Sequence, residues 1–196
     1  MILIIANILS LIGNILFTSS SILKSKKKIL IFQSSNYILA IISEIMTAAY
    51  SASVQEAISL LRNIIILFVK TKSKIVKLII TISCVVVAVV LGVIINIVFS
   101  NNVWYGYLPI FGTIIYSTGI ILAFMLNISE IKSEFIIKVA LIFNCILWAT
   151  YGIFVRLYPI TIFNCVTITL SIISIIRIII ILRKAKKNND TNIESL

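Results

Sequence analysis

Seven apolar runs partition this chain: Met1 to Leu23, Ile29 to Tyr50, Val54 to Val69, Leu78 to Phe99, Leu108 to Asn127, Phe135 to Val155 and Tyr158 to Leu182. A helix crossing ~30 Å of hydrocarbon needs about 20 residues, and a helix satisfies its own backbone groups in lipid. Seven such spans use roughly 140 residues of a chain of 196, which leaves short loops and a polar tail. The sequence is 61% hydrophobic and 12% charged, where a soluble domain has roughly 45–50% and 25%. The expected class is an all-α membrane protein with seven transmembrane helices.

A net charge of +11 would suggest nucleic acid in a soluble protein, but the basic residues sit at membrane edges. Lys24, Lys26, Lys27 and Lys28 form one cluster, Lys70, Lys72, Lys74 and Lys77 a second, and Arg183, Lys184, Lys186 and Lys187 a third. Positively charged short loops stay on the cytoplasmic side. With the N-terminus outside, seven spans put all three clusters there, together with Lys132 and Lys138, and leave Arg156 alone in an outer loop. The C-terminus is then cytoplasmic, and the N-terminus, lacking a basic region ahead of its apolar run, reads as a first helix that is not cleaved as a signal. Anionic lipid is an expected partner of the basic loops, nucleic acid is not, and the tail 188–196 reads as disordered.

The chain has no histidine and six acidic residues, so the commonest general base and zinc ligand are missing. Cys84, Cys145 and Cys165 lie inside apolar runs without CxxC spacing and read as packing residues. Neither a Walker A loop nor a GxGxxG after a strand occurs. An enzyme is not expected, nor a cofactor.

Sliding the chain by 101 residues lays Ile41–Asn63 on Ile142–Asn164, pairing Tyr50 with Tyr151 and Asn63 with Asn164. Ser43, Thr47 and Tyr50 then pair with Asn144, Trp148 and Tyr151, each set at i, i+4 and i+7 on one helical face. The expected architecture is a 3+1+3 parallel repeat: a first half over 1–77, a connector helix and outer loop over 78–107, a second half over 108–187 and the tail. Gly13 and Gly112 are further candidate equivalents.

Polar groups in hydrocarbon need a partner or a wet cavity. Asn63, Asn144, Asn164 and Trp148 are therefore candidates for a solute path, with Thr47, Tyr50 and Tyr151 beside them; helix-bridging hydrogen bonds and core packing are the plainer roles for the same residues. Glu44 and Arg62 stand nine residues either side of Ser53, the expected middle of an outer turn. That symmetry predicts one depth and an intramembrane ion pair, structural or tied to proton or anion coupling. Arg177 snorkels to the cytoplasmic surface.

Trp148-Ala-Thr-Tyr151-Gly152, followed by Pro159 and Asn164, resembles the W-x-x-Y-G, P, N pattern of SWEET sugar transporters and the half-length bacterial SemiSWEETs. Leu108-Pro-Ile-Phe-Gly112-Thr-Ile-Ile-Tyr-Ser-Thr118 carries a closer resemblance, over nearly the whole chain, to the YgjV family of bacterial inner-membrane proteins. Ala48-Ala-Tyr50, Leu60-Leu-Arg62-Asn63 and Ile175-Ile-Arg177 share it. The first resemblance implies a solute path between two halves, with Trp148 stacking on a ring and Asn164 hydrogen-bonding near the midplane. Thr47 stands where a second Trp148 would be, and the first span has no proline, so neither a sugar held between two rings nor the SWEET hinge is implied. The expected function is a small-solute transporter or facilitator of the bacterial inner membrane working by alternating access, its solute a sugar or other small polar molecule. The alternative is a structural or regulatory membrane protein that keeps this scaffold. One chain carries both halves, so a monomer suffices, and larger oligomers are compatible with it.

Overall fold

The computed structural model describes residues 2–68, 74–99, 102–125, 129–154 and 158–194, the last stretch by its backbone alone beyond Arg183. The chain forms α1 (Ile2–Ser20), α2 (Lys26–Met46), α3 (Tyr50–Phe68), α4 (Lys74–Phe99), a 3₁₀ turn (Trp104–Tyr107), α5 (Leu108–Met125), α6 (Glu130–Phe154) and α7 (Tyr158–Glu194). Among the described residues, seven helical segments are long and apolar enough to cross a membrane. Lys70, Lys72, Asn127 and Arg156 lie outside the described residues. The segment 188–194, expected as a disordered tail, continues α7 to Glu194, since no glycine or proline after Arg183 ends the helix.

Many polar side chains inside the spans fold back on their own helix. Ser34 donates to Leu30 O at 2.8 Å, Thr118 to Ile114 O at 2.9 Å and Thr150 to Ile146 O at 2.8 Å. Such i−4 bonds satisfy a hydroxyl without a tertiary partner, so these residues do not require a cavity.

Short connections make consecutive helices antiparallel. One end of the bundle, here the upper, carries the α2–α3 and α6–α7 connections; the lower end carries the lysine-rich ones. Helix α2 packs between α1 and α3, and α6 between α5 and α7. The two trios meet where α1 touches α7, α3 touches α5, and α2 touches α6. Exchanging α1 with α5, α2 with α6 and α3 with α7 turns the α1–α7 contact into α3–α5 and leaves α2–α6 as it is. Helix α4 leans on α3 and α5, and only 17% of its apolar window is buried, against 56% for α6. Gln55 fastens α4 to α3 by donating to Ala88 O at 3.0 Å.

The α2–α3 turn spans Thr47–Ala49. Ala48 adopts φ 58°, and Ala49 N–H returns to Glu44 O at 2.8 Å, a left-handed cap of the kind that ends helices. Phe17, Ile29, Leu30, Ile66, Tyr116 and Leu141 belong to one packed core formed by α1, α2, α3, α5 and α6. A smaller cluster of Ala52, Trp148 and Tyr151 lies nearer the upper end. All three cysteines are free, but Cys165 faces outward, and Cys145 alone is fully buried.

Lys138 departs from its expected place in a basic loop. Helix α6 begins at Glu130 rather than Phe135, which sets Lys138 about 12 Å into the helix. Its side chain is 0% exposed and donates to Ser20 O at 3.1 Å, Leu23 O at 3.3 Å and Ser21 O. These carbonyls lie at and just beyond the C-terminal end of α1, where Ser20 O also accepts from Leu23 N–H at 3.3 Å and a cation meets the negative end of the helix dipole. Ser174 adds a hydrogen bond to Ser21 O at 3.1 Å. Lys132 is exposed.

Candidate functional site

A cavity opens between the two trios, and six of the seven helices line it. The space reachable by the centre of a water is ≈ 50 Å³, several times the roughly 10–15 Å³ that one water needs. Helix α1 contributes Asn14 and Phe17, α2 contributes Asn36, Tyr37 and Glu44, and α3 contributes Glu56 and Ser59. Thr113 and Tyr116 of α5, Asn144 and Trp148 of α6, and Asn164 of α7 complete the opposite side. Most of these residues lie six to ten positions from an upper helix end, so the cavity sits roughly 9–15 Å down, near the middle of a ~30 Å hydrocarbon layer.

Asn144, Trp148 and Asn164 are the expected path residues that the structure brings together. Asn164 donates to Ile160 O on its own helix at 2.9 Å, and among the described residues its Oδ1 has no hydrogen-bond partner. Trp148 meets Tyr151 edge to face, with ring centroids 5.9 Å apart at 83°.

Asn144 approaches the backbone of α5 at Gly112, where an added Cβ would fall 2.8 Å from its Oδ1. Asn36 does the same to α1: a Cβ on Gly13 would fall 2.7 Å from its Oδ1. Each trio thus contains a glycine on its first helix that admits an asparagine from its second.

The remaining expected residues lie elsewhere. Asn63 is 0% exposed below the cavity, where its Oδ1 accepts from Arg62 Nε at 3.1 Å and Nη2 at 2.9 Å. Thr47 ends α2, its hydroxyl bonded to Ser43 O at 3.1 Å. Tyr50 is exposed at the start of α3 and packs edge-on against Phe99. Tyr151 is buried above the cavity beside Tyr105.

The expected Glu44–Arg62 ion pair does not form. The turn centres on Ala48 and not on Ser53, so Glu44 lies two residues from the end of α2, whereas Arg62 lies twelve residues into α3. That difference separates them by about 15 Å along the helices. Arg62 turns to α5 instead, donating to Ser117 Oγ at 2.6 Å and lying 5.4 Å from the centre of the Tyr116 ring. Tyr116 donates to Gln33 Oε1 at 2.6 Å, and Gln33 to Ser20 Oγ at 3.2 Å. Thr18 and Thr167 share a hydrogen bond of 2.8 Å between α1 and α7. Together these bonds form a polar layer that ties the trios together beneath the cavity.

Glu44 is left with a different neighbour. It is 5% exposed, its Oε2 is buried with no hydrogen-bond partner, and Glu56 lines the same cavity. Glu56, Asn36, Asn14, Tyr37 and Tyr116 are site residues that the 101-residue register did not reveal. The signal for them was present: Gly13-Asn-Ile-Leu-Phe17 matches Gly112-Thr-Ile-Ile-Tyr116 at an offset of 99, and Asn36-Tyr-Ile-Leu39 matches Asn144-Cys-Ile-Leu147 at 108. At 108, Tyr50 falls on Tyr158 and Glu56 on Asn164.

Residues 4–180 match the model of a family described as bacterial inner membrane protein, Imp-YgjV. The chain belongs to that family, and its place is the bacterial inner membrane. No curated protein matches the chain. No solved structure matches it.

Proposed function

For this member of the Imp-YgjV family, we propose that the cavity between the trios is the central site of a small-solute transporter working by alternating access. The observation that carries the reading is the cavity itself: polar side chains from six helices converge at mid-depth on the seam between two similarly connected trios. Transporters built from parallel repeats hold their solute at that seam. Five residue pairs lining the cavity follow the 99 and 108 offsets: Asn14 with Thr113, Phe17 with Tyr116, Asn36 with Asn144, Ala40 with Trp148, and Glu56 with Asn164. These pairs support a duplication of α1–α3 as α5–α7, with α4 as connector, and one chain then supplies both halves of the path.

The lysine-rich lower end is the cytoplasmic one in this reading, with the N-terminus outside and the C-terminus inside. The polar layer around Arg62 and the core around Phe17 and Tyr116 close the cavity toward the cytoplasm. The cluster of Trp148 and Tyr151 flanks it toward the outside. Rocking one trio against the other opens each side in turn.

The test is a thermal-shift screen of the detergent-purified protein against sugars, polyols, amino acids, amines and organic anions, since a ligand of the native state raises its apparent stability. Hits are repeated with Asn164→Ala and Trp148→Ala and carried into proteoliposome uptake. A stabilising solute that is taken up, and whose effect both variants lose, supports the reading. A hit indifferent to both variants, or bound without uptake, counts against it.

A further inference from the structure

We infer that the cavity selects a small organic cation bearing a primary ammonium group, held by Glu44 and Glu56 against the Trp148 side of the site. The inference deepens the transport reading and rests on it for the location of the site. Two of the six acidic residues of the chain line this one cavity. Both lie in a medium where an isolated carboxylate is costly, so each gains from a counter-charge. Glu44 Oε2 is buried and unpartnered, and among the described residues neither carboxylate has an ion-pair partner.

Arg62 is the nearest cation on α3, six residues or about 9 Å beyond Glu56. Its donors are committed to Asn63 and Ser117 and its face to Tyr116, so it leaves the carboxylates without a directly bound counter-charge. A cationic solute supplies one. It also meets what surrounds the acids: the Trp148 ring, whose face attracts cations, and Asn164 Oδ1, which has no partner among the described residues and accepts a hydrogen bond from an ammonium. A cation favours the ionised carboxylates and an anion opposes them, whereas a neutral polyol offers them no counter-charge.

The probes are three two-carbon solutes of one size and three charges: ethanolammonium, protonated at neutral pH, ethylene glycol and glycolate, each against sodium chloride at matched ionic strength. Thermal shift of the purified protein is recorded for wild type, Glu44→Gln, Glu56→Gln and the surface control Glu130→Gln. We expect a saturable rise with ethanolammonium alone, unchanged in Glu130→Gln. In Glu44→Gln and Glu56→Gln the half-saturating concentration rises by about tenfold or more. Two separate Gln variants keep the test alive should one not fold.

An equal response to ethylene glycol or glycolate, an ethanolammonium response intact in both cavity variants, or no response to any probe overturns the inference. Ethanolammonium binding without flux in proteoliposomes keeps the cation site and removes the transport reading. Flux of a neutral solute with no ammonium response does the reverse.

Discussion

Replacing Lys138 with methionine keeps most of the aliphatic stem and deletes the ammonium that caps α1. Three carbonyl oxygens, of Ser20, Ser21 and Leu23, lose a charged donor. Hydrogen bonds to a charged group contribute roughly 1.5–3 kcal/mol and an unmet buried acceptor costs about 1–3 kcal/mol. A cation at the C-terminal end of a helix adds roughly 0.3–2 kcal/mol. These contributions overlap, because Ser174 Oγ still reaches Ser21 O and a loosened chain admits water, so the expected loss is about 2–4 kcal/mol. Lys132→Met, on an exposed side chain of the same helix, is expected to change stability by less than about 0.5 kcal/mol. The assay is equilibrium unfolding of both variants in mixed micelles, monitored by tryptophan fluorescence. Equal, small effects would refute the capping role and return Lys138 to the basic loop to which its charge alone had assigned it.

Other outcomes follow from the same contacts. Ala48→Gly removes a Cβ from a left-handed residue and is expected to stabilise the protein by about 1 kcal/mol in the same unfolding assay. Gly112→Ala places a methyl 2.8 Å from Asn144 Oδ1 and 3.2 Å from Trp148 Cδ1. Asn144 Oδ1 ends a side chain that can shift, but the buried Trp148 ring must also give, so stability is expected to fall by about 1–3 kcal/mol while half-saturation by any cavity ligand rises about tenfold. A fluorescent protein fused after Leu196 is expected to fluoresce in cells, and a periplasmic reporter at the same place to stay silent; the reverse result would invert the assigned orientation.

The helices were legible because a membrane helix announces itself by length and apolarity alone. Trp148, Asn144 and Asn164 were legible as polar or aromatic groups deep in apolar runs. The depth of Glu44 relative to Arg62 was not, because it depends on where the chain turns, and Ala48 in a left-handed conformation displaces that turn by five residues from Ser53. The contacts of Gly13 with Asn36 and of Gly112 with Asn144 were hidden for a related reason. The interval from Gly112 to Asn144 is nine residues longer than that from Gly13 to Asn36, so no single offset aligns both helices.

Asn63 and Lys138 show a further limit. Each is a polar residue in a helix, and composition does not reveal that one binds a neighbouring arginine while the other reaches a helix end more than a hundred residues away. Glu56 was within reach. A second carboxylate inside a short third span, opposite an unpaired first one, is a stronger pointer to a site than the asparagine seven residues beyond it.

The central claim is that the cavity faces each side of the membrane in turn. Ser59 lines the cavity and is 6% exposed, so Ser59→Cys in a background of Cys84→Ser, Cys145→Ala and Cys165→Ser reports on it. Labelling by a membrane-impermeant thiol reagent is measured in right-side-out and in inside-out vesicles. Labelling from both sides, slowed by the bound solute, is the expected result. Labelling from one side only, or from neither, would contradict alternating access and leave a sealed scaffold.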